Sequence, residues 1–246
     1  MPILLVLEVL VQLTLAVHVV RTGRQLYWLF IILVFPVLGS VVYFVAEVLP
    51  DLGRSRTARG AATGVQRALD PDRDLRRLTE ELDTADTVDN RRRLAEEHLR
   101  RGDAAEALRL YRGALTGLHR DDPALLMGLA RAQFLDGDAA ACVETLDRLK
   151  AAHPKLDSAE GHLLYARALE AQGLIPQALD TYHAVAGYYP GVEARCRYAL
   201  LLQQEGHVGE AQKLFQDVVR GFEKGKGFHR AQQREWYDIA RQNLGP

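Results

Sequence analysis

Lysine among closely spaced glycines is what a phosphate-cradling loop needs, because backbone N–H groups and an ammonium together bind phosphate oxygens. The segment Gly221-Phe-Glu-Lys-Gly225-Lys226-Gly227 has that composition. Its first glycine stands one residue too close, no Ser or Thr follows Lys226, and no strand precedes it, so it reads as a turn between helices. The chain has 8 histidines but no His-Glu-x-x-His pair, which disfavours a zinc hydrolase. The carboxylate pairs Glu80–Glu81 and Glu96–Glu97 are adjacent, and adjacent residues on a helix point in different directions. They read as solvated. Cys142 and Cys196 are too few for a disulfide scaffold or a four-thiolate zinc site. No catalytic residue, metal ligand or cofactor site is expected, and the chain is read as a non-enzyme.

Composition directs attention to the elements instead. The 246 residues carry 31 basic and 32 acidic side chains, for a net charge of −1. No basic field is available to hold nucleic acid. The mean hydropathy of −0.13 averages two unlike parts. Residues 1–50 hold four charged side chains, Glu8, Arg21, Arg24 and Glu47. All the rest lie beyond residue 50.

Within that second part the chain repeats. A glycine is followed five residues on by a small residue, and four further on by an aromatic or leucine. The sets are Gly102, Ala107, Tyr111; Gly137, Cys142, Leu146; Gly173, Ala178, Tyr182; and Gly206, Ala211, Phe215. The intervals between glycines are 35, 36 and 33. Before each glycine an alanine follows Leu or Tyr: Ala95, Ala130, Ala166 and Ala199. Glycine suits the turn after a first helix, where a positive φ is often required. The small residue in the second helix allows close approach, and the aromatic fills the gap to the next unit. Pro154 and Pro190 then close units, because proline cannot continue a helix. Cys142, in a small-residue slot, reads as core.

This pattern resembles tetratricopeptide repeats, whose period is about 34 residues. It departs from that family late in each first helix, where the usual Tyr is replaced by His98, Gln133, Leu169 and Leu202. Pro123 reads as a closing proline displaced by four residues in an atypical first unit. The expected fold is all-α: a leading helix over 71–84, four helix pairs over about 88–222, and a capping helix over 229–244. The cap's stripe is Trp236, Ile239, Ala240 and Leu244. Residues 51–70, rich in Gly, Arg, Ser and Thr, read as a flexible linker.

Ahead of the linker, 3–20 is apolar except for Glu8, Gln12 and His18, and 26–48 has no charge before Glu47. A bilayer crossing takes about 20 apolar residues, so the expectation is a two-span hairpin over 1–50. Tyr27-Trp28 at the entry, Phe35-Pro36-x-x-Gly39 inside and Tyr43 four residues later resemble the membrane hairpin of phospholipase D-type cardiolipin synthases. That resemblance implies a membrane anchor. It also draws notice to His153, Lys155 and Glu160, which have the spacing of that family's signature with Glu in place of Asp. The family uses two copies and a following Gly-Ser-x-x-Asn. Here one copy stands alone where a repeat closes, so the match reads as coincidence.

As a whole the chain resembles bacterial membrane-anchored tetratricopeptide-repeat proteins. The resemblance implies an interaction scaffold at the inner membrane, with a protein and the lipid bilayer as partners. Four arginines after the hairpin against two in its loop favour a cytoplasmic repeat domain. An accessory subunit of a membrane-lipid or envelope enzyme is the alternative. The groove is expected along the first helices, lined by Arg92, Glu96, Met127, Arg131, Phe134, Leu163, Arg167, Glu170, Leu200 and Gln203. Arg131 and Arg167 occupy equivalent positions. Arg131 has no acid within four residues on its helix, and Glu170 is the one candidate partner for Arg167.

Overall fold

Short polar side chains start the helices of the repeat region. In the computed structural model, Thr87 accepts from the Asn90 N–H at 3.2 Å, Asp103 from Glu106 at 3.3 Å, Asp138 from Ala141 at 2.9 Å and Ser158 from Gly161 at 3.0 Å. Asp122 accepts from the N–H groups of Ala124 and Leu125. Each satisfies a donor that the first turn leaves open.

The structure describes residues 2–21, 27–35, 42–43, 70–224 and 228–245. They fall into two units, Met1–Arg73 and Asp74–Pro246. In the first unit, α1 (Pro2–Arg21) and α2 (Tyr27–Val34) pack around Val19, Trp28, Ile32 and Tyr43. His18 Nδ1 lies 3.0 Å from the Tyr43 hydroxyl. Leu13, Val17 and Val20 of α1 are exposed, as are Phe30 and Leu33 of α2.

Of the two expected spans, the first coincides with α1. The second is helical at Tyr27–Val34 and again at 42–43, and most of the remainder lies outside the described residues, as does the linker up to residue 69. The backbone leaves helix geometry at Phe35, the residue before Pro36, where proline disfavours the α region. No helix among the described residues is long and apolar enough to cross a membrane.

The described residues of the second unit form helices joined by turns, with no strand among them. It begins with α3 (Arg73–Thr84), and four pairs follow: α4 (Val88–Arg101) with α5 (Ala104–Ala114), α6 (Pro123–Leu135) with α7 (Ala139–Ala152), α8 (Ala159–Ala171) with α9 (Ile175–Ala186), and α10 (Glu193–Gln204) with α11 (Val208–Lys224). Last is α12 (Phe228–Leu244). Each helix from α4 on packs against its neighbours in sequence, and α4 also meets α6, α6 meets α8 and α10 meets α12.

One device ends every first helix. Gly102, Gly137, Gly173 and Gly206 all have positive φ, between 74° and 87°. The next residue then donates to a carbonyl in the last turn, at His98, Gln133, Leu169 and Leu202, over 2.8–3.0 Å. These carbonyls belong to the four residues that replace the repeat family's tyrosine. The turn recruits their backbone, which any of these residue types supplies equally. Gln133 is buried and accepts from the Thr145 hydroxyl at 2.7 Å.

Packing follows the same register. Ala107, Cys142, Ala178 and Ala211 are at most 1% exposed, and Tyr111, Tyr182 and Phe215 are equally buried. Tyr111 reaches into the following pair, where a Cβ added at Gly128 would lie 2.2 Å from its ring. Only glycine fits beneath that ring. Burial pushes the Cys142 and Cys196 thiols up to about 12, which leaves both as inert core groups.

Two details differ from expectation. Pro123 does not close the first pair. It begins α6 behind the Asp122 cap, where its missing N–H costs nothing, and a 3₁₀ turn at Gly117–His119 fills the connection. Gly221 is not in a turn either. α11 continues through it to Lys224, and Gly221 lies against Val192, so the phosphate-loop-like segment begins as helix.

Candidate partner-binding face

The first helices α4, α6, α8 and α10 carry the residues expected to line the groove. On α4, Arg92 donates to Glu96 at 2.6 Å and to Asp89 at 2.8 Å, so both members of the expected pair are spent on each other. On α6, Met127 is half-buried against Gly161 of the next unit. Arg131 is exposed and pairs with Glu160 at the start of α8. It has no acidic neighbour on its own helix, and its partner comes from the adjoining repeat.

Arg167 on α8 is placed differently. It is half-buried, and its guanidinium lies 4.6 Å from the centre of the Phe134 ring. Among the described residues it has no ion-pair partner. Burial, reinforced by Arg197, pulls its pKa below the ordinary guanidinium value. Glu193 and Glu170 attract it through charge without forming an ion pair, and the Glu170 carboxylate accepts from the Tyr182 hydroxyl at 2.6 Å.

The apolar members divide. Leu163 is 4% exposed and belongs to the core between α8, α9 and α10, so it does not line a groove. Its position lies on the edge of α8 that the neighbouring helices cover. Leu200 is half-buried against the core around α10 to α12, and Gln203 is half-buried one turn beyond the position equivalent to Arg167.

The structure adds groups that spacing along a single helix does not reveal. Glu160 and Glu193 stand thirteen residues before Gly173 and Gly206, which makes them equivalent. Glu160 reaches back to Arg131. Glu193 is held instead by Arg197, one turn along α10, at 2.9 Å. The Arg197 guanidinium also lies 4.4 Å from the centre of the Trp236 ring on α12. Repeat-to-repeat alignment makes the two acids equivalent without telling which one reaches back, and a window of four residues around Arg131 or Arg167 finds neither.

His153, Lys155 and Glu160 do not assemble a centre. His153 Nε2 donates to the Asp121 carbonyl at 2.5 Å, Glu160 pairs with Arg131, and Lys155 is exposed. Among the described residues no three His, Cys, Asp or Glu side chains are grouped to hold a metal ion.

Residues 98–167 match the tetratricopeptide repeat family. The structure is similar to that of a thermophilic TPR protein from Thermus thermophilus, at 18% identity and a TM-score of 0.55, over 73% of this chain and 95% of that one. It is also similar to a variant of a Podosopora anserina kinesin light chain-related protein with nearly identical TPR-like repeats. That match has 22% identity and a TM-score of 0.50, over 64% of this chain and 86% of that one. At these identities the likeness establishes the fold. No curated protein sequence matches the chain. Tetratricopeptide repeats are thus matched over 98–167, and the described residues as a whole form a repeat of helices without strands.

Proposed function

We propose that this tetratricopeptide-repeat protein is a non-enzymatic scaffold that binds an acidic segment of a partner protein along its first helices, with Arg167 as the anchor. Repeats of this type stack into surfaces that hold extended segments of other proteins. The observation that carries the reading is the Arg167 guanidinium, seated over Phe134 and lacking an ion pair. A partly desolvated guanidinium recovers most by receiving a carboxylate, which it can hold through two parallel hydrogen bonds. Arg131 is a weaker candidate because Glu160 already occupies it.

Attachment to a membrane through residues 1–50, with the repeats on the cytoplasmic side, belongs to the same reading. Its support is the uncharged sequence from Leu26 to Ala46 and the exposed apolar side chains of α1 and α2. Resistance of the full chain to carbonate extraction, and loss of sedimentation when the chain starts at Pro71, would bear it out. A full chain released by carbonate would remove it.

The binding test is capture of the native partner. Arg167→Ala is expected to weaken capture by about 1–3 kcal/mol with thermal stability nearly unchanged, as for a lost charge-assisted hydrogen bond. Unchanged capture would exclude this face.

A further inference from the structure

The helices α7 and α9 flank α8 and leave a cleft of about 370 Å³ between them, with Met127 of α6 also in its lining. Its size suits a long side chain and an apolar neighbour, at the lower end of small-ligand pockets. Leu146 and Leu149 give it an apolar wall. Leu156 and Tyr188, two large apolar side chains nearly half exposed, stand along the same cleft.

Its charge is uneven. Asp147 of α7 and Asp180 of α9 both line the cleft, are exposed and have no ion-pair partner among the described residues. Lys150, one turn from Asp147, is the one lysine or arginine among the lining residues. The two lining histidines are engaged: His153 with the Asp121 carbonyl, and His162 with the Tyr188 hydroxyl. Tyr165 rises from α8 in the same lining, close enough to Asp147 to feel its charge.

We infer that this cleft is a second docking site, for a partner segment that presents an arginine or lysine beside an aliphatic side chain. Two carboxylates facing one ammonium leave one negative charge unanswered, and an arriving cation supplies the answer. Beside low-dielectric leucines that attraction exceeds its value in open water. A guanidinium bridging both carboxylates makes charge-assisted hydrogen bonds, while the tyrosine ring attracts the cation through its face. The aliphatic neighbour covers the exposed Leu156 and Tyr188. An acidic segment would meet two carboxylates and is excluded by the same charges. Neither Arg167 nor Phe134 lines the cleft, and the charge there is of opposite sign, so Arg167→Ala is expected to leave it unaltered.

The test uses the full chain in mild detergent and two labelled peptides, one with arginine between leucines and one with glutamate in its place. The arginine peptide is expected to bind and the glutamate peptide to fail. Joint substitution Asp147→Asn and Asp180→Asn is expected to weaken binding at least roughly tenfold, the loss of charge-assisted hydrogen bonds. Lys150→Ala is expected to tighten it by roughly twofold, an effect of opposite sign that damage to the fold cannot imitate. Equal binding of the two peptides, binding of neither, or an unchanged affinity in the double variant would overturn the proposal. Self-association of the chain that Tyr188→Ala abolishes would assign the cleft to a second copy and would also overturn it.

Discussion

Arg131 and Arg167 hold the same position in neighbouring repeats, yet one forms an ion pair and, among the described residues, the other does not. Each faces an equivalent acid at the start of the next first helix, Glu160 and Glu193. Glu160 is free to reach back because the residue one turn on is Leu164, which is buried. Glu193 has Arg197 at that place and is drawn along its own helix. A single difference, one turn into the following helix, therefore accompanies the change from a paired arginine to one without an ion pair at this repeat position. The repeated positions build the backbone, and the positions between them distribute charge.

The strongest way to break this comparison is to show that the two units are not built alike. Cys142 and Ala178 are the close-contact residues of the second and third pairs, both fully buried. Cys142→Leu and Ala178→Leu should each overpack a helix pair and cost about 1–3 kcal/mol in urea unfolding. A cost confined to one of them would mean that the pairs do not share a packing scheme. The turns give a somewhat smaller effect. A Cβ at Gly137 or Gly173 meets nothing within 4 Å, so Gly137→Ala and Gly173→Ala should cost only the left-handed backbone penalty, about 1–2 kcal/mol each. Equal losses of melting temperature in the two would confirm equal turns.

A sharper probe converts the third repeat toward the second. Arg197→Leu should release Glu193 to pair with Arg167, weakening capture of an acidic partner by about 1 kcal/mol while Arg167 itself remains. Unchanged capture would show that Glu193 does not govern Arg167. The smallest effect is expected at Arg131. Its pair with Glu160 is exposed, so Arg131→Ala should change stability by no more than about 1 kcal/mol, and less in high salt.

What the sequence made legible follows from which contacts are local. The positive-φ glycines, the small buried residues and the aromatics recur at fixed spacing, because each serves a turn, a contact inside one pair or the same seam to the next pair. Their period exposed the all-α repeat architecture. Groups that act between units were not legible. Glu160 is 29 residues from Arg131, and Trp236 meets Arg197 from the last helix. The burial of Leu163 depends on helices that cover it from elsewhere in the chain. Pro123 was misread for the same reason. A proline near a unit boundary can end one element or begin the next, and the choice rests on the Asp122 cap beside it. The cleft between α7 and α9 also needs three helices to exist, so no one stretch of sequence announces it.

The short reach of the helix packing bears on how the chain acquires its structure. Because α4 to α12 meet chiefly the elements adjacent in sequence, order can begin in any pair and spread in both directions without closing a long loop. The same arrangement confines damage. A weakened pair should open its own amides to hydrogen exchange first and its immediate neighbours next, while distant pairs keep their protection. Partner capture spanning several pairs would reverse that order, slowing exchange along the whole row by joining pairs that otherwise unfold separately.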